Sequence, residues 1–136
     1  MKENTEPLLG LGEVVTDNFT GEAWLHMLST DVEKYDCMMY NVTFAPATRN
    51  YWHTHSEGQI LICTEGIGYY QERGKVAQKL ESGAVVHIPS GVAHWHGAAP
   101  DSRFTHIGVT PKANTNKVEW IGEVTDEEYN QVINRK

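Results

Sequence analysis

Seven of the 136 residues are histidine, and four of these fall in two pairs, with His106 ten residues beyond the second. The run Tyr51-Trp52-His53-Thr54-His55 reads as a strand, which turns His53 and His55 to one face. Two imidazoles spaced this way can occupy neighbouring positions on one metal ion. Gln59 follows beyond a turn through Glu57-Gly58, and its side-chain oxygen is a further donor. His94-Trp95-His96 repeats the alternation, so His96 looks into the cavity that His94 faces. Only a folded β structure brings that pair near the first. His106 lies in Phe104-Thr105-His106-Ile107-Gly108-Val109-Thr110, where Phe104, His106, Gly108 and Thr110 share a face. A histidine not used as a ligand can move a proton near neutral pH, and His106 and His96 are the candidates for that work. Either can instead orient a ligand through a hydrogen bond. His26 and His87 have no such company and read as ordinary strand residues.

These side chains need strands to hold them. From about residue 20 to 110 the chain shows short alternating or apolar stretches separated by Gly, Pro, Asn and Ser. Strands are predicted over 22–28, 36–45, 50–55, 58–64, 67–72, 75–80, 84–88, 92–97 and 103–110. Arg73-Gly74 reads as a hairpin tip, and Pro89-Ser90-Gly91 as a tight turn. Many short strands at near-regular spacing predict an all-β sandwich or barrel. Thr125-Asp126-Glu127-Glu128 fits a capping box that opens a short helix running to Ile133. About twelve residues at the start form an arm whose placement the sequence leaves open. On the strand 36–45, Met38, Tyr40, Val42 and Phe44 share a face, and Leu61 and Cys63 share one with Gln59. Most such residues fill the interior. Tyr40, Val42 and Thr110, with Leu61 beside Gln59, are the candidates for a substrate pocket.

Length and charge narrow the field. A chain of this size folds as one domain and hides roughly two-thirds of its unfolded surface. With 40% hydrophobic and 21% charged residues, disorder and fibrous classes are excluded. The net charge of −7 repels phosphate backbones and anionic lipid, which argues against nucleic-acid and membrane partners. No apolar run approaches the ~20 residues of a membrane helix. The polar start and two cysteines in apolar runs, Cys37 and Cys63, predict a cytoplasmic protein with two buried free thiols.

The pattern His53-x-His55-x(3)-Gln59-x(6)-Gly66, then Gly83-x(5)-Pro89-x-Gly91-x(2)-His94, resembles both sequence motifs of the cupin superfamily. The resemblance implies one cupin domain over 1–136, with motif 1 at about 48–66 and motif 2 at about 83–98. It implies a jelly-roll β-barrel (a double-stranded β-helix) with the short C-terminal helix appended. Three positions depart from the family pattern: Ala47 stands for Gly, Gln59 for Glu and Ala98 for Asn. Segments from Trp52 to Gln59, Gly68 to Glu72, Val85 to Pro89, His94 to Pro100 and Val118-Glu119-Trp120 are similar to a group of small bacterial cupins. That group includes manganese-dependent hydroxynitrile lyases and cupins fused to carboxymuconolactone decarboxylases. By this resemblance His53, His55, Gln59 and His94 are the metal ligands, His106 is a pocket residue, and Tyr40, Val42 and Thr110 line the pocket. A homodimer or higher homo-oligomer, pairing through sheet edges and an exchanged N-terminal segment, is the implied assembly.

Gln59 changes the chemistry. Three neutral imidazoles and a neutral amide leave the full 2+ charge of an ion in the site, which favours Lewis-acid work on a bound oxygen. Mixed N/O donors accept one divalent ion: manganese or iron(II) first, with nickel, zinc and copper also admitted. The expectation is a lyase acting on a small carbonyl or cyanohydrin-type substrate. The competing readings are another cupin enzyme, opening uronate rings or adding dioxygen, and a non-catalytic cupin that binds a metal or small molecule.

Overall fold

The computed structural model describes residues 6–134. The strands are β1 (Glu13–Val15), β2 (Phe19–Thr20), β3 (Ala23–Met27), β4 (Cys37–Phe44), β5 (Arg49–Asn50), β6 (Trp52–His55), β7 (Gln59–Gly66), β8 (Gly68–Glu72), β9 (Gln78–Leu80), β10 (Val85–Ile88), β11 (His94–Ala98), β12 (Phe104–Pro111) and β13 (Val118–Gly122). Two helices complete the described residues, α1 (Val32–Tyr35) and α2 (Asp126–Ile133). All pairings are antiparallel. One sheet runs β1-β3-β4-β12-β7-β10, and the other runs β13-β6-β11-β5-β2 with β8 and β9 attached through β11. The two sheets form a jelly-roll-like sandwich, the all-β class expected.

Alternation decides which side chains enter. β7 places Gln59, Leu61 and Cys63 inward, and β12 does the same for Phe104, His106, Gly108 and Thr110. Val42, Phe44, Leu61, Tyr70, Leu80, Ile88 and Phe104 pack into one apolar core between the sheets. A second cluster lies under α2, where Trp52, Trp95 and Val124 meet Tyr129 and Val132. The capping box is present: Thr125 Oγ1 accepts from the Glu128 N–H, and the Glu128 carboxylate accepts from the Thr125 N–H. Buried Arg49 ties α2 down by donating to the Val124 carbonyl and to Asp126 at 2.8 Å, while its guanidinium stacks over the Tyr129 ring.

Four expectations need correction. The stretch 50–55 is not one strand, because β5 and β6 are separated at Tyr51, whose N–H donates to the Asn18 carbonyl. The stretch 75–80 is strand only over β9. β13 was unexpected, as were short β1, β2 and α1. Cys63 is a buried free thiol, and burial pushes it up to about 11, but Cys37 at the start of β4 is only half-buried. Of the expected arm, residues 1–5 lie outside the described residues. The rest runs along β3, β4 and β7: Leu8 N–H donates to Glu65, the Leu9 carbonyl meets His26 Nδ1 at 2.6 Å, and Asn41 donates to the Gly10 carbonyl. Among the described residues no helix is long and apolar enough to cross a membrane.

Candidate metal centre

His53 and His94 stand directly opposite each other across β6 and β11, with Trp120 of β13 on the far side of His53 and Glu72 on the far side of His94. One row across the inner face therefore reads Trp120, His53, His94, Glu72. His55 lies two residues further along β6, and His96 two residues along β11. Gly58, at φ +81°, makes the turn from β6 into β7. A Cβ there would come within 2.7 Å of the Ile88 carbonyl, so this turn excludes other residues. It delivers Gln59 to the same end of the barrel as His55.

The rings are close. Centroids are 4.3 Å apart for His53 and His94, 5.0 Å for His53 and His55, and 5.6 Å for His55 and His94. His53, His94 and His96 each present one ring nitrogen within 4.8 Å of the others, close enough for this triad to hold a metal ion. His53 Nδ1 donates to the Tyr51 carbonyl at 2.7 Å, and His94 Nδ1 to the Val92 carbonyl at 2.9 Å. Those bonds leave the Nε2 lone pairs of both rings free. His94 Nε2, His55 Nε2 and Gln59 Oε1 are buried and have no hydrogen-bond partner. Buried acceptors without partners cost about 1–3 kcal/mol each. Three of them at the end of one barrel are what a cation would satisfy, so the donor set fits a divalent ion.

Electrostatics agree. Burial, and then the neighbouring His94, hold His53 well below the ordinary imidazole range; the same two causes lower His55 to about 4. Burial lowers His94 and lowers His96 strongly, and it takes His106 to about 3. All five are neutral at pH 7, the form that ligates metal or accepts a proton.

A cavity of about 380 Å³ opens over this cluster. Tyr40, Val42, Thr110, His106 and His96 line it together with His53, His55 and Gln59. Leu61 does not line it; fully buried, it packs in the core with Val42 and Phe44. His94 also stays out of the lining, at 0% exposure. His106 sits 4.9 Å from His96, between the Phe44 and Phe104 rings, with its Nδ1 buried and unpartnered. His96 is held differently, its ring nitrogens 3.3 Å from the Asn50 amide nitrogen and its backbone N–H donating to Asn50 Oδ1. His26 and His87 are exposed, on β3 and β10. Sequence reasoning missed Asn50, Met27 and Trp120 as wall residues. Trp120 had a signal, since Val118-Glu119-Trp120 alternates as a strand; its ring lies 4.6 Å from His53. Asn50 carried none.

Known proteins resemble this chain in sequence and fold. A cupin-like protein from Thermotoga maritima superposes with a TM-score of 0.90 at 45% identity, covering 96% of this chain and all of that one. An (R)-mandelonitrile lyase from Granulicella tundricola is 37% identical over 118 residues, 87% of this chain and 90% of that protein. An acireductone dioxygenase 2 from Pectobacterium atrosepticum is 30% identical over 83 residues, 59% of this chain and 44% of that protein. Residues 40–107, which run from within β4 to halfway along β12 and include all five clustered histidines, match the family described as the cupin domain. With its histidines set on the inner face of a jelly-roll-like sandwich and that match over half its length, the chain belongs to the cupin domain family.

Proposed function

We propose that the protein is a metal-dependent lyase of small, uncharged cyanohydrin or carbonyl compounds. His53, His55, Gln59 and His94 hold one manganese or iron(II) ion. The observation that carries this reading is the set of unpartnered acceptors, His55 Nε2, Gln59 Oε1 and His94 Nε2, beside an apolar cavity that also contains His106. Similarity to the (R)-mandelonitrile lyase over most of both chains supports the same chemistry. The described lining contains no Lys or Arg, which disfavours polyanionic substrates such as uronates. Free thiols and no disulfide among the described residues support a cytoplasmic setting.

A divalent ion held by these residues would supply Lewis acidity and positive charge to a substrate oxygen. The protein does the rest. Phe19, Leu25, Met38 and Val42 form dry walls for an aromatic or aliphatic body. Of the two candidates, His106 has the unpartnered Nδ1, while His96 already has the Asn50 amide against its ring. Burial holds His106 at about 3, a weak base, so the hydroxyl proton passes through it to the leaving cyanide and does not rest on it. As that proton leaves, the carbonyl forms and the bond to the nitrile carbon breaks. The electron pair departs with cyanide, which takes up the proton as hydrogen cyanide.

The test is benzaldehyde release from racemic mandelonitrile by manganese- or iron-loaded protein, at a pH low enough to suppress spontaneous decay. Chelated protein and His94→Ala run beside it. Turnover lost in both controls supports the reading. Turnover that survives both, or none from loaded protein, overturns the lyase assignment. In the second case the dioxygenase relative directs the next substrates toward oxidisable enediols and phenols.

A further inference from the structure

Tyr40 on β4 faces Gly108 on β12, its partner in register. A glycine inside a strand sacrifices packing, and here the space is used. A Cβ on Gly108 would come within 2.6–2.7 Å of two Tyr40 ring carbons and 3.0 Å of its hydroxyl. The missing side chain lets the Tyr40 ring settle against β12. Its hydroxyl then sits between two polar groups: it accepts a hydrogen bond from Gln59 Nε2, and it shares a 3.4 Å hydrogen bond with Thr110 Oγ1.

The two ends of the Gln59 amide are chemically opposite. Its Oε1 is buried without a partner, and so is His55 Nε2. Turned over, the amide would direct its N–H toward that imidazole lone pair and withdraw its oxygen from the cluster. The amide N–H therefore needs another acceptor if the oxygen is to face the histidines, and the Tyr40 hydroxyl is that acceptor. We infer that Tyr40 is a positioning residue for the metal centre, holding the Gln59 amide with its oxygen toward the histidines, with Gly108 providing the room. This inference rests on the metal reading above.

A carboxylate separates orientation from mere packing, because its two ends are equivalent and it has no N–H to satisfy. Mn(II) is titrated into metal-free full-length protein, and the free ion is followed by its electron paramagnetic resonance signal. Tyr40→Phe, which keeps the ring against Gly108, is expected to weaken Mn(II) binding about tenfold, the scale of lost outer partners at metal sites. In a Gln59→Glu background the same change should cost less than about threefold. Added to Gln59→Ala it should cost nothing further. Unchanged affinity in Tyr40→Phe, or an equal loss in the Gln59→Glu background, overturns the inference and leaves the metal reading intact. A wild-type protein that binds no Mn(II) overturns both.

Discussion

At the residue scale the site divides into groups that hold and a group that reacts. His53 and His94 have their Nδ1 atoms committed to backbone carbonyls of Tyr51 and Val92, which are set by the strands themselves. A substitution elsewhere in the cavity should not move them. His106 is different: it lines the cavity, and its Nδ1 is unpartnered among aromatic rings. Replacing it removes a proton acceptor and leaves the holding groups in place. His106→Ala is therefore expected to bind Mn(II) within about threefold of wild type and to lose at least about 100-fold in kcat for cyanohydrin cleavage, the low end of general-base contributions. Equal losses in metal binding and turnover would place His106 among the holding groups instead. His96→Ala serves as the contrast: His96 is outside the four proposed ligands, but its ring lies within 4.8 Å of His53 and His94. An unchanged Mn(II) affinity supports the set with His55 and Gln59, and a large loss would put His96 in their place.

At the scale of elements, one departure from the family pattern has a measurable consequence. Ala47, which stands where the family pattern has Gly, lies in the turn between β4 and β5 at φ +66°. Left-handed backbone costs a non-glycine residue about 1–2 kcal/mol, partly offset by the larger unfolded-state entropy of glycine. Its side chain is exposed, so little packing is lost with the methyl group. Ala47→Gly should stabilise the protein by about 0.5–1 kcal/mol, read as a Tm raised by about 2–4 °C; a lowered Tm would contradict the strain. That turn also marks how far the sequence could be read. The inward faces of β4, β7 and β12 were legible because alternation is a local property: Tyr40 with Val42, and Phe104 with His106, follow from period two alone. The α2 capping box was legible for the same reason. β13 was not, since four of its five residues are exposed and its role comes from pairing with β6, a contact 65 residues away. Leu61 shares the face of Gln59 yet misses the cavity, because which end of a strand lies under the opening is a tertiary fact. Asn50 and the break at Tyr51 depend on Asn18 and His96, and no local pattern announces either.

At the scale of the molecule, the outward face of the six-stranded sheet carries an apolar patch at its centre, bordered by polar His87 and Asn41. Met39, Val109 and Ile60 lie side by side in register up to His87, and Ile107, Ile62 and Val85 form the next row beyond Asn41; Met39 is 40% and Val85 52% exposed. We propose that a second copy covers this face, giving a homodimer of the 15.3 kDa chain. Light scattering behind size exclusion should give twice that mass, and Ile62→Lys with Val109→Lys should return it to the monomer value. Acid is the other whole-molecule lever, because five imidazoles are buried together. Their folded pKa values lie below the unfolded value of about 6.5, with His55 at about 4 and His106 at about 3, from burial first. A group depressed in the fold stabilises it fully above the unfolded pKa, and that contribution is lost as pH falls toward the folded one. Metal-free protein should therefore hold a level Tm above about pH 7 and lose stability steadily from about 6.5 down toward 4. Each buried histidine adds a slope of at most about 1.4 kcal/mol per pH unit. His106→Asn removes one such group and should flatten the decline. Mn(II) protection should fade over the same window, because protons and metal compete for the same lone pairs. A Tm independent of pH between 7.5 and 5 would mean that the cluster is already hydrated or protonated in the folded protein, and the dry cavity assigned to the substrate would go with it.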